Sequence, residues 1–283
     1  MKEYSNTDLA LVHKCELILL DYFIDICQKN DLMYFGFAGT GIGALRHQGF
    51  IPWDDDIDLG MPAADLNKLI EIVQADTSGK YRIINSDIDI EYPLPTTRLM
   101  LTGTDFCEEA LRDIPCQFGI FLDLYAFDNV ADDERLYKKQ AWDAWMWSHI
   151  RLLLSIPDPV IVYHGIKGAI VKAASRTAAV ILKIAHLDKA KCLAKENEAR
   201  SRYANVKTQR IAFMNDTSRF IATYAWRDIL PLRTLPFEGR AVMFPANLES
   251  TLETQYGDFM TPPPIEHRKN HYPARLDFGQ YAD

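Results

Sequence analysis

Apolar residues recur at helical spacing near the start of the chain, at Leu9, Val12, Leu19, Phe23 and Ile26. Ser5-Asn6-Thr7-Asp8 carries the oxygen-bearing side chains with which helices begin, and Asn30-Asp31 ends the pattern. Met33 to Phe37 reads as a short β-run leading into a glycine-rich turn, Gly39-Thr40-Gly41-Ile42-Gly43, and a short helix from Ala44 to His47. Pro52 breaks the chain before Asp54-Asp55-Asp56-Ile57-Asp58-Leu59, which reads as a turn entering a strand. Pro62 and Asp65 open another helix, through about Ala75. Strands are predicted at Tyr81 to Ile84, Thr97 to Leu101 and Gly119 to Tyr125, with Asp128 in the turn that follows. Asp132 to about Tyr203 reads as mostly helical, interrupted at Pro157 and Pro159. Strand and turn signals then return, including Phe237-Glu238-Gly239-Arg240, before a proline-rich basic tail. The pattern predicts an α/β chain with three parts: a mixed-sheet core over 1–130, a helical insertion over 131–205, and a segment over 206–283 that completes the core and the site.

Composition narrows the class. With 283 residues, 48% hydrophobic and 25% charged, the chain has the balance of a folded globular protein. A formal net charge of -8 offers no general field for nucleic acid. The five cysteines are scattered without a CxxC pair, so neither a disulfide framework nor a zinc knuckle is indicated. No signal-peptide order precedes Ser5, and no run of eighteen uncharged apolar residues occurs. The expectation is a cytoplasmic protein with reduced thiols.

Candidate chemistry concentrates between Gly39 and Asp58. In an extended chain Asp54, Asp56 and Asp58 share one face while Ile57 and Leu59 take the other, a hard-oxygen arrangement suited to Mg²⁺ or Mn²⁺. A solvated acidic turn is the plain alternative. A calcium loop of the EF-hand kind fails, because Leu59 stands where glycine is required and Asp65 where glutamate is. The glycine-rich stretch upstream, opening a helix, lets backbone N–H groups approach a phosphate, with Arg46 and His47 beyond it as further contacts. A phosphate-binding turn followed closely by a metal-binding DxD is more specific than either alone. Asp123, a single carboxylate in the apolar strand Gly119 to Tyr125, is the expected third acid.

These residues together resemble the LicD family, relatives of the fukutin-related proteins, whose block "GT…GA.RH.GFIPWDDDID" is matched at Gly39-Thr40, at Gly43 to His47 and at Gly49 to Asp58. The similarity recurs at Gly119 to Asp123, at Phe237 to Arg240, at Tyr256 to Met260 and at Arg268 to His271. Gly41-Ile42 stands where the family commonly has two bulky apolar residues, and Gln48 where it has lysine. The resemblance implies a nucleotidyltransferase-like fold and transfer of phosphocholine or an alditol phosphate from a CDP-activated donor to a cell-surface glycan. Asp56 and Asp58 match its metal-binding acids, and Asp123 its third carboxylate. With the donor that the resemblance implies, Arg98 is a candidate phosphate or cytidine contact, and Arg268 and His271 in the basic tail are candidates to close over it. Two readings compete with that one: a sugar-nucleotide glycosyltransferase, which also uses DxD, and a non-catalytic nucleotide-binding protein on the same fold.

One further stretch stands apart. Gly165 to His186 carries Lys167, Lys172, Arg176 and Lys183 and no acid, with apolar residues such as Ile166, Ile170 and Ile181 towards the other side. Such a helix either packs its apolar side on the core or meets an anionic membrane surface. The resemblance implies the second at the cytoplasmic face, where the acceptor glycan would be assembled on a lipid carrier.

Overall fold

Ser5 Oγ accepts a hydrogen bond from the Asp8 N–H at 3.0 Å and caps the first helix, α1 (Asn6–Lys29). The computed structural model describes residues 4–156, 165–184, 186–216, 220–268 and 270–282. One face of α1 buries Val12, Cys15, Leu19, Leu20, Phe23 and Ile26 against the main core. The chain then forms β1 (Phe35–Gly36), α2 (Ala38–His47), β2 (Asp58–Pro62), α3 (Ala63–Gln74), β3 (Tyr81–Ile84), β4 (Thr97–Leu101), β5 (Asp105–Glu108) and β6 (Phe121–Val130). Next come α4 (Glu134–Ser155), α5 (Gly165–Ile184), α6 (Lys189–Arg200), β7 (Arg210–Ala212), β8 (Thr223–Ala225) and α7 (Trp226–Ile229). The chain closes with β9 (Arg233–Phe237), β10 (Arg240–Phe244), α8 (Leu248–Tyr256) and β11 (Pro273–Asp277).

The sheet is mixed, in the order β1-β2-β6-β4-β3, and β7 and β8 extend it from the far half of β6. β2 runs parallel to β6, while β4 is antiparallel to β6. β2 and β4 are buried almost throughout, as is expected of strands covered on both faces. The α/β expectation holds, with helices and a sheet of both parallel and antiparallel strands. α4, α5 and α6 fall within the stretch read as helical, and Pro157 and Pro159 lie outside the described residues. The five thiols are free, and four of them are buried.

Three local expectations need correction. The helix expected from Ala44 begins at Ala38, so the glycine-rich stretch is helical. Its entry is a sharp change of direction, with Phe37 extended and Ala38 at a φ of 46°. Asp54 and Asp56 lie in coil, and the strand starts only at Asp58. Asp128, expected in a turn, is inside β6 and buried, where it pairs with Arg200 of α6 at 2.8 Å. The strand continues because its far half gains a second partner in β7, which the apolar pattern of β6 alone does not reveal.

The β9–β10 hairpin turns at Glu238 and Gly239, with φ of 47° and 74°, the left-handed pair that a two-residue hairpin requires. Its tip docks on the loop after α2: Glu238 N–H donates to the Gln48 carbonyl at 2.8 Å, and Glu238 Oε1 accepts from Phe50 N–H at 3.2 Å. The loop that ends in the acidic run is thus pinned from a distant part of the chain.

Candidate active site

Sheet register builds the centre of the site. Asp58 on β2 stands opposite Asp123 on β6, and Asp123 stands opposite Arg98 on β4. Residues paired across neighbouring strands project to the same face, so Asp58, Asp123 and Arg98 form one row. Asp56 enters from the coil two residues before Asp58. Between and beyond them Ile57 and Leu59 are fully buried on the other side and anchor the alternation. One carboxylate oxygen from each of Asp56, Asp58 and Asp123 lies within 4.8 Å of the others.

Three buried carboxylates this close oppose one another's ionisation. Burial pushes Asp56 up to about 6, with His271 countering and the Asp55 and Asp123 charges adding. Burial, followed by the Asp56 and Asp123 charges, holds Asp58 well above the usual carboxylate range. Asp58 Oδ1 is buried without a hydrogen-bond partner among the described residues. An unsatisfied carboxylate oxygen inside an all-oxygen group is costly unless a cation shares it, so these residues fit a hard divalent ion. Asp123 is held from behind: its Oδ1 accepts from Thr96 Oγ1 at 2.8 Å and from Arg98 Nε at 3.2 Å.

Arg98, expected as a phosphate or cytidine contact, is 2% exposed and pairs with both Asp123 and Glu108. Its guanidinium lies 3.6 Å from the centre of the Phe121 ring. Burial opposes its charge, and Glu108 and Asp123 outweigh that cost. It braces Asp123 from within the fold and offers no open face to a nucleotide.

The glycines of α2 divide their labour. A Cβ on Gly39 would sit 2.9 Å from Asp54 Oδ2 and 3.6 Å from Asp58 Oδ2, so the absent side chain leaves room at the carboxylates. Gly41 instead admits Leu248 of α8, and Gly43 the Gly49 carbonyl. Only the first therefore faces the acidic group. Thr40 is buried, and its Oγ1 accepts the Asp58 N–H at 2.7 Å, which sets the position of that aspartate. Arg46 and His47 stand in the last turn of α2, seven and eight residues on from Gly39, a rise of roughly 10 to 12 Å along the axis. Asp54 stays beside Gly39 and is absent from the Asp56–Asp58–Asp123 group. The backbone there is coil, so the period-two argument does not carry Asp54 to the same face.

The basic tail does close over this region. His271 N–H donates to Asp55 Oδ1 at 2.8 Å, and its Nδ1 lies 3.3 Å from both Asp55 and Asp56. The Asp56 charge, against burial, holds the His271 imidazole well above its ordinary value. Asp55 is fully buried and also accepts from Tyr4 Oη at 2.6 Å. Beneath it lies Glu16 of α1, 1% exposed, with its carboxyl held well above normal by burial and by Asp56, Asp55 and Asp54. Arg268 stacks on Trp53, with its guanidinium 4.0 Å from the ring centre.

Two comparisons bear on this arrangement. Residues 31–98 match the family model described as LicD/FKTN/FKRP, nucleotidyltransferase domain. The chain is also 25% identical over 261 residues to the lipopolysaccharide cholinephosphotransferase LicD of Haemophilus influenzae, covering 90% of this chain and 92% of that protein. The chain is thus similar to LicD along most of its length, and to the family model over the segment that carries Gly39, Asp56 and Asp58. Uncharacterized proteins of Rickettsia typhi and Rickettsia prowazekii are 38% identical over 64 residues and 43% identical over 49 residues. Those shorter matches cover 23% and 17% of this chain, and 21% and 18% of the two proteins.

The LicD segment over 31–98 holds Gly39, Asp54, Asp56, Asp58 and Arg98, while Asp123 and the tail lie beyond it. Sequence reasoning missed Asp55, Glu16 and Glu108. For Asp55 a signal existed: strict alternation puts it opposite its neighbours, where a carboxylate needs partners of its own. For Glu16 the only signal was its place on the apolar face of α1, between Cys15 and Leu19. Glu108 sits in β5, which pairs with β11 far along the chain, and no local pattern shows that.

Proposed function

We propose that this chain, like the cholinephosphotransferase it resembles, transfers a phospho-alcohol, of the phosphocholine or alditol-phosphate kind, from a CDP-linked donor to a hydroxyl of a cell-surface glycan, free or lipid-linked. The observation that carries this reading is the Asp56–Asp58–Asp123 group, with one oxygen unsatisfied, in a chain aligned almost end to end with a cholinephosphotransferase. Asp56 and Asp58 would hold Mg²⁺ or Mn²⁺, which when bound would neutralise charge developing on the leaving CMP oxygen, with Asp123 beside them as the proton acceptor. Gly39 opens the first turn of α2 beside the carboxylates, where backbone N–H groups receive a donor phosphate. The sugar hydroxyl attacks the distal phosphorus, the P–O bond to CMP breaks, and the hydroxyl proton passes to Asp123. Thr96 and Arg98 both bond Oδ1 of that aspartate, which fixes its orientation and leaves Oδ2 for the proton.

Supplying the protein and Mg²⁺ with a panel of CDP- and UDP-linked donors is expected to release CMP from a CDP-alcohol, and to release none in chelator. Pyrophosphate from CTP, or UDP from a sugar nucleotide, would overturn the reaction while leaving the fold intact.

The enzyme works at the cytoplasmic side, in peripheral contact with an anionic membrane. Among the described residues no helix is long and apolar enough to cross a bilayer. On α5, however, Val180 and Ile181 are 56% and 59% exposed, while Ala179 is buried. The apolar side of α5 therefore looks outward here, not onto the core. Ala173 and Thr177 are exposed on that same side, and Arg176 is exposed along its edge. Co-sedimentation with phosphatidylglycerol vesicles but not phosphatidylcholine vesicles is expected. Val180→Ser with Ile181→Ser should weaken it by about tenfold or more, given the apolar area removed. Equal indifference to both vesicles would remove the membrane from the picture.

A further inference from the structure

Apart from the carboxylates stand two positive charges, expected from the sequence as donor contacts, to which the mechanism above gives no step. Arg46, at the end of α2, and Arg268, in the tail, both approach the Trp53 ring, with guanidinium carbons 6.0 and 4.0 Å from its centre. Trp53 immediately precedes the acidic run in the chain, so the pair is tied to the segment that carries the carboxylates without belonging to them. Arg46 Nη1 donates to the Phe259 carbonyl at 3.0 Å, and Arg268 Nε to the Pro263 carbonyl at 3.4 Å. Each guanidinium is thereby oriented by backbone and not by a carboxylate.

The nearby acids are engaged elsewhere. Asp258 accepts from the Thr261 N–H, and Glu238 from the Phe50 N–H. Among the described residues no ion pair joins either arginine to an acid. The two charges also act on each other: partial burial and then the Arg268 charge lower Arg46. His47 completes the patch. Its Nε2 lies 3.2 Å from Arg46 Nη2, and burial together with Arg46 keeps the imidazole below its ordinary value, a neutral acceptor for the guanidinium.

Two guanidiniums held together by an indole and two carbonyls, on a chain of net charge -8, repel unless an anion lies between them. Planar, forked donors of this kind match phosphate oxygens two at a time. We propose that Arg46 and Arg268, braced on Trp53, form a phosphate subsite that binds without the divalent cation. The subsite deepens the phosphotransfer reading by naming the second charged element its substrates must meet. The phosphate comes either from the CDP-linked donor or from a phosphorylated sugar of the acceptor.

Calorimetric titration with inorganic pyrophosphate in excess chelator tests the subsite without calling on activity. Binding to the wild-type protein is expected, lowered about tenfold or more by Arg46→Gln and by Arg268→Gln, and unchanged by Asp56→Asn. Loss of pyrophosphate binding in Asp56→Asn but not in the arginine variants, or no binding in chelator at all, would overturn it. Circular dichroism on the same samples separates loss of the site from loss of fold. Where turnover is measurable, a higher KM for the CDP-linked donor in Arg268→Gln assigns the phosphate to the donor. A higher KM for the glycan alone assigns it to the acceptor. Both KM values unchanged would count against the subsite.

Discussion

Asp58→Asn is expected to lower turnover on the order of a thousandfold or more while the metal-free protein becomes no less stable, because a cation ligand is lost and a buried charge conflict is relieved. Asp56→Asn should behave alike. The pH dependence follows from the direction of the shifts. Folding raises Asp56 from 3.8 to about 6, so the folded state holds the proton more tightly than the unfolded chain. That contribution is full in acid, below 3.8, and is lost as pH rises through about 6. His271, raised by Asp56, acts in the same sense: its contribution is full below 6.5 and is lost as pH rises through its higher folded value. Divalent cation should therefore raise Tm more at pH 7.5 than at pH 5, and the Asn variants should lose that response. Thermal melts with and without Mg²⁺ check the stability half, and donor turnover checks the other. Full activity in either Asn variant would remove the carboxylates from the mechanism.

Arg151→Ala should cost about 3–5 kcal/mol, enough to lower Tm by roughly 10 °C. Arg151 of α4 is 1% exposed and holds Glu196 of α6 at 3.0 Å, while its Nη1 donates to the Tyr92 and Pro93 carbonyls at 3.3 and 3.2 Å. Glu196 Oε1 also accepts from Asn215 at 2.7 Å. Truncating the arginine leaves a buried carboxylate without its cation and two carbonyls without donors, which is the expensive way to break such a group. Replacing both charges, as Arg151→Met with Glu196→Leu, should recover much of the loss. An unchanged melt for Arg151→Ala would show that the pair bears no weight in holding the helices to the core.

How much of this was legible beforehand depended on whether the signal was local. The spacing of Leu19, Phe23 and Ile26 marks α1, and the apolar runs at Tyr81 and Thr97 mark β3 and β4 to the residue. Asp58 and Asp123 could be singled out as carboxylates between apolar neighbours, and Asp56 by its spacing of two from Asp58. The partners that decide what each charged group does came from afar, and no window of sequence contains them. Arg98 looked outward because nothing nearby in the chain announces Glu108 as its neighbour. The glycines after Phe37 looked like one turn because sequence does not say which of them meets Asp54, which meets Leu248 and which meets Gly49. Arg151 and Glu196 stand 45 positions apart, and no local pattern pairs them until the helices are packed.

The alignment of Asp58, Asp123 and Arg98 across three strands has a bearing on which length changes this protein can survive. Strand side chains alternate, so deleting one residue between Gly119 and Leu122 would leave the sheet hydrogen bonds available but bring Leu124 into the row in place of Asp123. An added residue in the same stretch would substitute Leu122. In either case a leucine would face Asp58 and Arg98, and the guanidinium would keep only Glu108. Drift in loop length is harmless over much of a chain, but along β6 it acts like a frameshift written in side chains, and descendants can vary there by substitution only.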